Sequence, residues 1–412
     1  MSTIGIIGAG PAGMMAALTA ADSNHKVILF EANERVGKKI LSTGNGKCNL
    51  SNVDMESKYF YSNHTDRIEE FLKQFSVTDT VHFFESLGIV LKEKSGYLYP
   101  NSEQASTILD ALRFELERKN ITLVSDFKVS SISTSKNSDT FVISSSAKQY
   151  EADKVILACG GKAAPKTGSD GSGYILAKKL GHHIVNVVPA LVQLVCKESF
   201  MKSIAGVRTQ ATISLFKDFG HSVLLQKETG ELQLTDYGIS GIPVFQLSRT
   251  ANRWLSNEKE LFVTIDFLPN ISKEQWNDIF RIREEVFLHR NAEEYYFGIL
   301  NKKITALILR QAGIKPTEIA GSIPKEQRMK AFSLMRDFPL TIVGNKGFDY
   351  AQVSAGGVDL SEVTDQLESM LCPNLYFAGE LLDVDGRCGG YNLQWAFTSG
   401  YIAGKAAIEK GR

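Results

Sequence analysis

The stretch Thr3-Ile4-Gly5-Ile6-Ile7-Gly8-Ala9-Gly10-Pro11-Ala12-Gly13-Met14-Met15-Ala16-Ala17-Leu18 opens the chain, and its reading decides the fold. Thr3 to Ile7 reads as a short buried strand, and Met14 to Ala21 is a run of good helix formers. Lys26 to Phe30 reads as a second strand that ends at Glu31. Strand, glycine turn, helix, strand and acid follow one another as in a dinucleotide-binding unit. Gly8 allows the tight turn, Gly10 lets the backbone approach a pyrophosphate, and Gly13 lets helix and strand pack closely. Pro11 and Ala12 complete the phosphate-facing turn, where free N–H groups and the positive end of the helix dipole gather. Glu31, with Ala32 behind it, lies where a carboxylate can accept hydrogen bonds from both ribose hydroxyls. A carboxylate there repels a 2′-phosphate. The motif alone does not separate FAD from NAD.

Two further pieces favour FAD. Arg35-Val36-Gly37-Lys38-Lys39 is a basic, glycine-containing loop that can bring cations to the pyrophosphate. Thr43-Gly44-Asn45-Gly46-Lys47-Cys48-Asn49 is a polar, irregular segment of the kind that passes close to a flat ring. Cys48 reads as a small buried residue in preference to a cofactor contact. At the other end, Asn374 to Glu380 reads as a strand that finishes in Gly379-Glu380. Asp383 to Gly390 leads into a helix carrying Tyr391, Asn392, Leu393 and Gln394. A helix N-terminus at Gly389-Gly390 would stabilise negative charge on a reduced flavin. Glu380 would hydrogen-bond ribityl hydroxyls, which NAD lacks. Between the ends, Val155 to Cys159 followed by Gly160-Gly161 reads as a strand returning to the dinucleotide, with Ala158 and Gly160 beside it. Three short antiparallel strands precede it, at 128–132, 140–144 and 148–151.

Lys plus Arg and Asp plus Glu both number 46, so the net charge is zero and nothing favours a nucleic-acid partner. The five cysteines form no C-x-x-C pair, and the seven histidines show no metal spacing, so no metal is expected. No run of ~18 apolar residues suggests a membrane span. A cytoplasmic protein acting on a small molecule is the expectation, with the oligomeric state left open.

Together the glycine turn with Glu31, the Arg35 to Lys39 loop, the Thr43 to Asn49 segment, the Tyr237-Gly238-Ile239-Ser240-Gly241 run and the Gly379 to Gln394 tail resemble one bacterial family. It is the BaiN/YhiN-like family of FAD-dependent oxidoreductases, which includes proteins described as aminoacetone oxidases. The resemblance covers nearly the whole chain. It implies an α/β fold: a Rossmann-like FAD-binding domain of the glutathione-reductase type, with an inserted β-barrel-like domain and a small helical domain. The expected spans are 1–189 and 351–412 for the FAD domain, 190–265 and 319–350 for the inserted β-rich domain, and 266–318 for the helical part. Cys388 and Asn45 stand where members often carry Thr and Gly.

Gly168-Ser169-Asp170-Gly171-Ser172-Gly173 has the wrong spacing for a second nucleotide motif and reads as a loop and helix cap, so no dedicated NAD(P)H domain is expected. In the insert, 191–195, 210–216, 222–225 and 231–235 read as strands, and 272–287, 293–309 and 318–332 as helices, with Pro324 breaking or opening the last. The insert is expected to shape the substrate cleft. The function expected is hydride transfer to or from flavin N5, either oxidising an amine or reducing an unsaturated substrate, with NAD(P)H as a transient electron donor. Asn49, Arg387 and Tyr391 are the candidate catalytic residues, with Asn392 near them. An NAD-dependent dehydrogenase and a non-catalytic redox-sensing flavoprotein are the alternatives.

Overall fold

A computed structural model describes residues 2–21, 25–134 and 140–409. The chain divides into two compact units. One joins Met1–Pro189 to Ala351–Arg412, and the other is Ala190–Tyr350.

The first unit is built on a five-stranded parallel sheet. Its strands are β1 (Thr3–Ile7), β2 (Lys26–Phe30), β3 (Thr122–Val124), β4 (Lys154–Leu157) and β5 (Leu375–Phe377), in the order β3-β2-β1-β4-β5. Ile6 of β1 pairs with Leu29 on one side and Ile156 on the other, and Tyr376 of β5 extends the same row. Strands covered on both faces read as continuous apolar runs, which is why β1, β2 and β4 were legible. The strand order reverses direction between β1 and β4, and ligands of open α/β sheets bind beyond the carboxyl ends at such a point. Three antiparallel strands, Ser131–Thr134, Phe141–Ser144 and Gln149–Ala152, form the meander before β4.

Helix α1 (Pro11–Ala20) follows β1, and α2 (Tyr391–Ile408) closes the chain. The two touch backbone to backbone. A Cβ placed on Gly400 would lie 2.4 Å from the Ala12 carbonyl oxygen, and one on Gly404 would lie 2.6 Å from that of Ala16. A four-residue glycine spacing gives α2 one bare stripe, and α1 answers with alanines.

The second unit is a closed six-stranded antiparallel barrel with helices. Its strands run Leu194–Cys196, Gly238–Gly241, Leu224–Leu234, Arg208–Phe216, Leu261–Asp266 and Phe338–Asn345 around the barrel. Several local expectations are corrected here. The spans 222–225 and 231–235 belong to one strand, because Gly230 is a site of close approach to Pro243 and not a turn. The helix expected over 293–309 is two, Ala292–Tyr296 and Lys302–Ala312, separated at left-handed Gly298. Pro324 opens the helix Lys325–Arg336. The strand expected at 191–195 is Leu194–Cys196, and the helix Ile242–Leu255 went unread although Val244, Leu247 and Ala251 lie in the barrel core.

Gly400→Ala forces α2 off α1 and is expected to cost about 1–3 kcal/mol in urea unfolding. FAD retention falls with it, because α1 carries the phosphate turn. Gly344→Ala, with no atom within 4 Å of the added methyl, is the control and stays within about 0.5 kcal/mol.

Candidate functional site

The phosphate end is fixed by sterics. Gly8 has φ +103°, and a Cβ on Gly13 would sit 1.8 Å from the Gly8 carbonyl oxygen, so neither tolerates a side chain. Around Gly10 there is nothing within 4 Å of the Cβ position, which leaves the backbone open to a ligand. Pro11 at the start of α1 removes no needed donor. Ala12 is buried against Gly379, whose own Cβ position lies 2.9 Å from the Ala12 methyl. Ala158 and Gly160 stand at the end of β4, and the Ala158 carbonyl lies 2.5 Å from the Gly8 Cβ position.

Glu31 is buried at the end of β2 and already accepts three hydrogen bonds. Oε2 accepts from the Ala9 N–H at 3.0 Å, and Oε1 accepts from the Asn33 N–H at 2.9 Å and the Asn33 amide at 2.7 Å. A carboxylate offers about four lone-pair sites. Glu31 therefore has capacity for about one ribose hydroxyl where the sequence reading expected both. Ala32 and Arg35 are exposed beside it.

Lys39 and Glu380, 341 residues apart, meet in a partly buried ion pair at 2.7 Å. Lys39 is not in a loop but in the short helix Lys38–Ser42. The other Glu380 oxygen accepts from the Ser354 N–H at 2.8 Å, and a Cβ on Gly161 would lie 2.5 Å from it. The Ser354 hydroxyl in turn accepts from the N–H groups of Lys162 and Ala163. Sequence reading did not single out Ser354, since a serine inside an apolar glycine-containing strand carries no motif.

At the third locus, Gly44, Asn45 and Cys48 are all left-handed, with φ of 56°, 54° and 56°. Gly44 adopts that region freely, whereas Asn45 and Cys48 carry side chains that make it costly and are held by their surroundings. Thr43 donates to the Ile40 carbonyl. Cys48 is fully buried, which pushes its thiol up to about 11. Lys47 points away into an exposed pair with Glu103 at 2.7 Å. The Asn49 side-chain oxygen is buried with no hydrogen-bond partner.

The start of α2 packs onto this segment. A Cβ on Gly390 would lie 2.5 Å from the Ser51 backbone, Asn52 donates to the Gly389 carbonyl at 3.1 Å, and Ser51 donates to Gln394 at 2.7 Å. Asn392 is committed to the turn before the helix: its oxygen accepts from the Gly386 N–H, and its amide donates to the carbonyls of Gly386 and Arg387. Tyr391 donates to the Asp54 carbonyl at 3.0 Å, and burial raises its hydroxyl to about 12, which removes it as a base near neutrality. The Arg387 guanidinium lies 6.0 Å from the Tyr59 ring. Leu393 packs into the core around α1.

These residues fit FAD on observations independent of one another: the open approach at Gly10, the orphaned buried oxygen of Asn49, and a glycine-opened helix start beside it. Fold and site define a dinucleotide-fold flavoprotein. The profile of the HI0933-like protein Rossmann domain matches residues 2–406, and the chain belongs to that family. The resemblance read from the motifs is borne out. A 3-dehydro-bile acid delta(4,6)-reductase of Clostridium scindens is 43% identical over 413 residues, with 100% of each chain covered. A ribosomal RNA dihydrouridine synthase of Haemophilus influenzae is 29% identical, with 96% of each covered. The 3-ketosteroid delta1-dehydrogenase of Sterolibacterium denitrificans shares the fold, with a TM-score of 0.51 at 12% identity over 99% of each chain. The protein is an FAD-dependent oxidoreductase. Among the described residues, no helix is long and apolar enough to cross a membrane, and no group of three potential ligands could hold a metal ion.

Lys39→Met and Glu380→Gln each lower stability, and the double variant costs less than the sum of the two. A coupling of about 0.5–3 kcal/mol is expected from a double-mutant cycle. Strict additivity would mean that the two side chains do not interact in solution.

Proposed function

We propose that the protein reduces a carbon–carbon double bond conjugated to a carbonyl in a small molecule, using FAD with NAD(P)H as electron donor. The observation that carries this reading is the 43% identity over the full length to a delta(4,6)-reductase. The dihydrouridine synthases in the same family are named for a product with one double bond fewer, next to a carbonyl. Reductive chemistry on a conjugated carbonyl is therefore the common thread, and amine oxidation has no such support. A zero net charge favours a small molecule over ribosomal RNA as substrate.

When bound, FAD supplies a ring that accepts and donates hydride. The chain supplies the surroundings. The N–H groups at the start of α2 offer partial positive charge to developing negative charge. Asn392 clamps the Gly386–Arg387 turn and so holds the backbone that carries Arg387. Arg387 would bind an anionic group of the substrate, and the unpaired oxygen of Asn49 would help hold the cofactor by accepting a hydrogen bond. Tyr391 packs its ring against Tyr59 and Phe60 and excludes water from that wall.

The purified protein is expected to be yellow and to release FAD on heating. Mixed anaerobically with NADH or NADPH it bleaches, and a conjugated enone restores the colour. Bleaching by amines, with no response to nicotinamides or enones, would contradict the reading. Arg387→Ala keeps FAD and raises KM ten- to a hundredfold, the equivalent of about 1.5–3 kcal/mol for a charged hydrogen bond. An unchanged rate and KM would remove Arg387 from the site.

A further inference from the structure

The strand Val353–Val358 is buried along its whole length and pairs with Ile184–Ala190. Glycine lets it lie close to its neighbours. A Cβ on Gly356 would sit 2.3 Å from the Asn186 carbonyl oxygen, and one on Gly357 would sit 2.5 Å from that of Leu381. The Val358 carbonyl accepts from the Asp383 N–H at 2.9 Å. The strand therefore runs beside residues 380–383, and Ser354 comes to rest against Glu380. Ser354 is 1% exposed, so its hydroxyl must find its partners within the protein.

Those partners lie in two turns and the helix between them. The hydroxyl oxygen accepts from the N–H groups of Lys162 at 2.8 Å and Ala163 at 3.0 Å, which fills both lone pairs. Its own proton is left for the Tyr174 hydroxyl oxygen, and Tyr174 in turn donates to the Glu380 carbonyl at 3.3 Å. The Ser354 N–H donates to Glu380 Oε1 at 2.8 Å. Glu380 is thus held twice from one residue, at its carboxylate directly and at its carbonyl through Tyr174. The same atoms converge on Gly161. A Cβ there would lie 2.5 Å from Glu380 Oε1, 2.7 Å from the Ser354 hydroxyl and 2.9 Å from the Tyr174 hydroxyl. Residues 161–163 follow β4 and Glu380 follows β5, and the two strands are neighbours. Ser354 ties together the turns beyond the carboxyl ends of adjacent parallel strands, where ligands of such sheets bind.

We infer that Ser354 is a positioning residue for the cofactor: it aims the Glu380 carboxylate and fixes the turn after Gly160, so that one residue from outside the dinucleotide motif sets two borders of the FAD site. With Oε1 turned to Ser354 and Oε2 to Lys39, the plane of the carboxylate is fixed before FAD arrives. Ordering these groups in advance lowers what binding has to spend on them. This role rests on FAD as the cofactor and holds whichever substrate is reduced.

Ser369 supplies a matched comparison. It is also buried, and its hydroxyl also accepts from two successive N–H groups, those of Leu371 at 3.1 Å and Cys372 at 2.8 Å, but it precedes the amino end of β5. Apoprotein of the wild type, Ser354→Ala and Ser369→Ala is titrated with FAD by flavin fluorescence, well below each melting temperature. Both variants melt earlier than the wild type, since each strands two buried donors. The FAD dissociation constant is expected to rise roughly tenfold in Ser354→Ala and to keep its wild-type value in Ser369→Ala. Ser354→Cys, which keeps the shape with a poorer acceptor, shows a rise of about threefold and carries the test should Ser354→Ala not fold. Wild-type affinity in the Ser354 variants, or an equal loss in Ser369→Ala, would make Ser354 a structural serine only and overturn the inference while FAD stands as the cofactor. A wild type that takes up no FAD would overturn both together.

Discussion

The contact between α1 and α2 at Gly400 and Gly404 is the constraint on which the site depends. The glycine turn at Gly8–Gly13 belongs to the first residues of the chain, and the glycine turn at Gly389–Gly390 belongs to the last. Nothing local holds them in register. Backbone-to-backbone packing of the two helices does, because glycine on one and alanine on the other let the axes approach closely. The Lys39–Glu380 pair and the Ser51–Gln394 hydrogen bond then lock the two ends at loci further along the expected cofactor. Two bonds between residues more than 300 positions apart, together with the helix contact, tie the two ends into one cradle.

Much of this was legible because dinucleotide binding is written in backbone requirements. Gly8 must adopt positive φ and Gly13 must lie against a carbonyl, so the residues are forced and the pattern survives as text. The parallel strands β1, β2 and β4 were equally plain, since burial on both faces leaves little but Ile, Val and Leu, whereas the exposed edge strand β3 carried no such run. What escaped was decided by partners distant in sequence. Lys39 read as a cation for phosphate, and only the folded chain brings Glu380 to it. Glu31 read as open to both ribose hydroxyls, but Ala9 and Asn33 fill most of its capacity. Lys47 sits in a motif-like segment yet turns toward Glu103. In the barrel, 222–225 and 231–235 read as separate strands, and one long strand, Leu224–Leu234, runs through Gly230 where it packs against Pro243.

The chemistry follows a division of labour. Most polar groups around the α2 turn are spent on structure: Asn392 on the preceding loop, Gln394 on Ser51 and the 75–76 backbone, and Tyr391 on Asp54. The Asn49 oxygen is left over. In a buried site unspent hydrogen-bonding capacity is costly, and its persistence points to ligands as the missing partners.

The central claim is that one FAD is held by both ends of the chain. Hydrogen–deuterium exchange of the apoprotein and the FAD-loaded protein tests it most directly. Protection is expected to appear together, at the same FAD concentration, in residues 8–14, 158–161 and 379–393. Protection confined to residues 8–31, with the C-terminal segment unaffected, would contradict it.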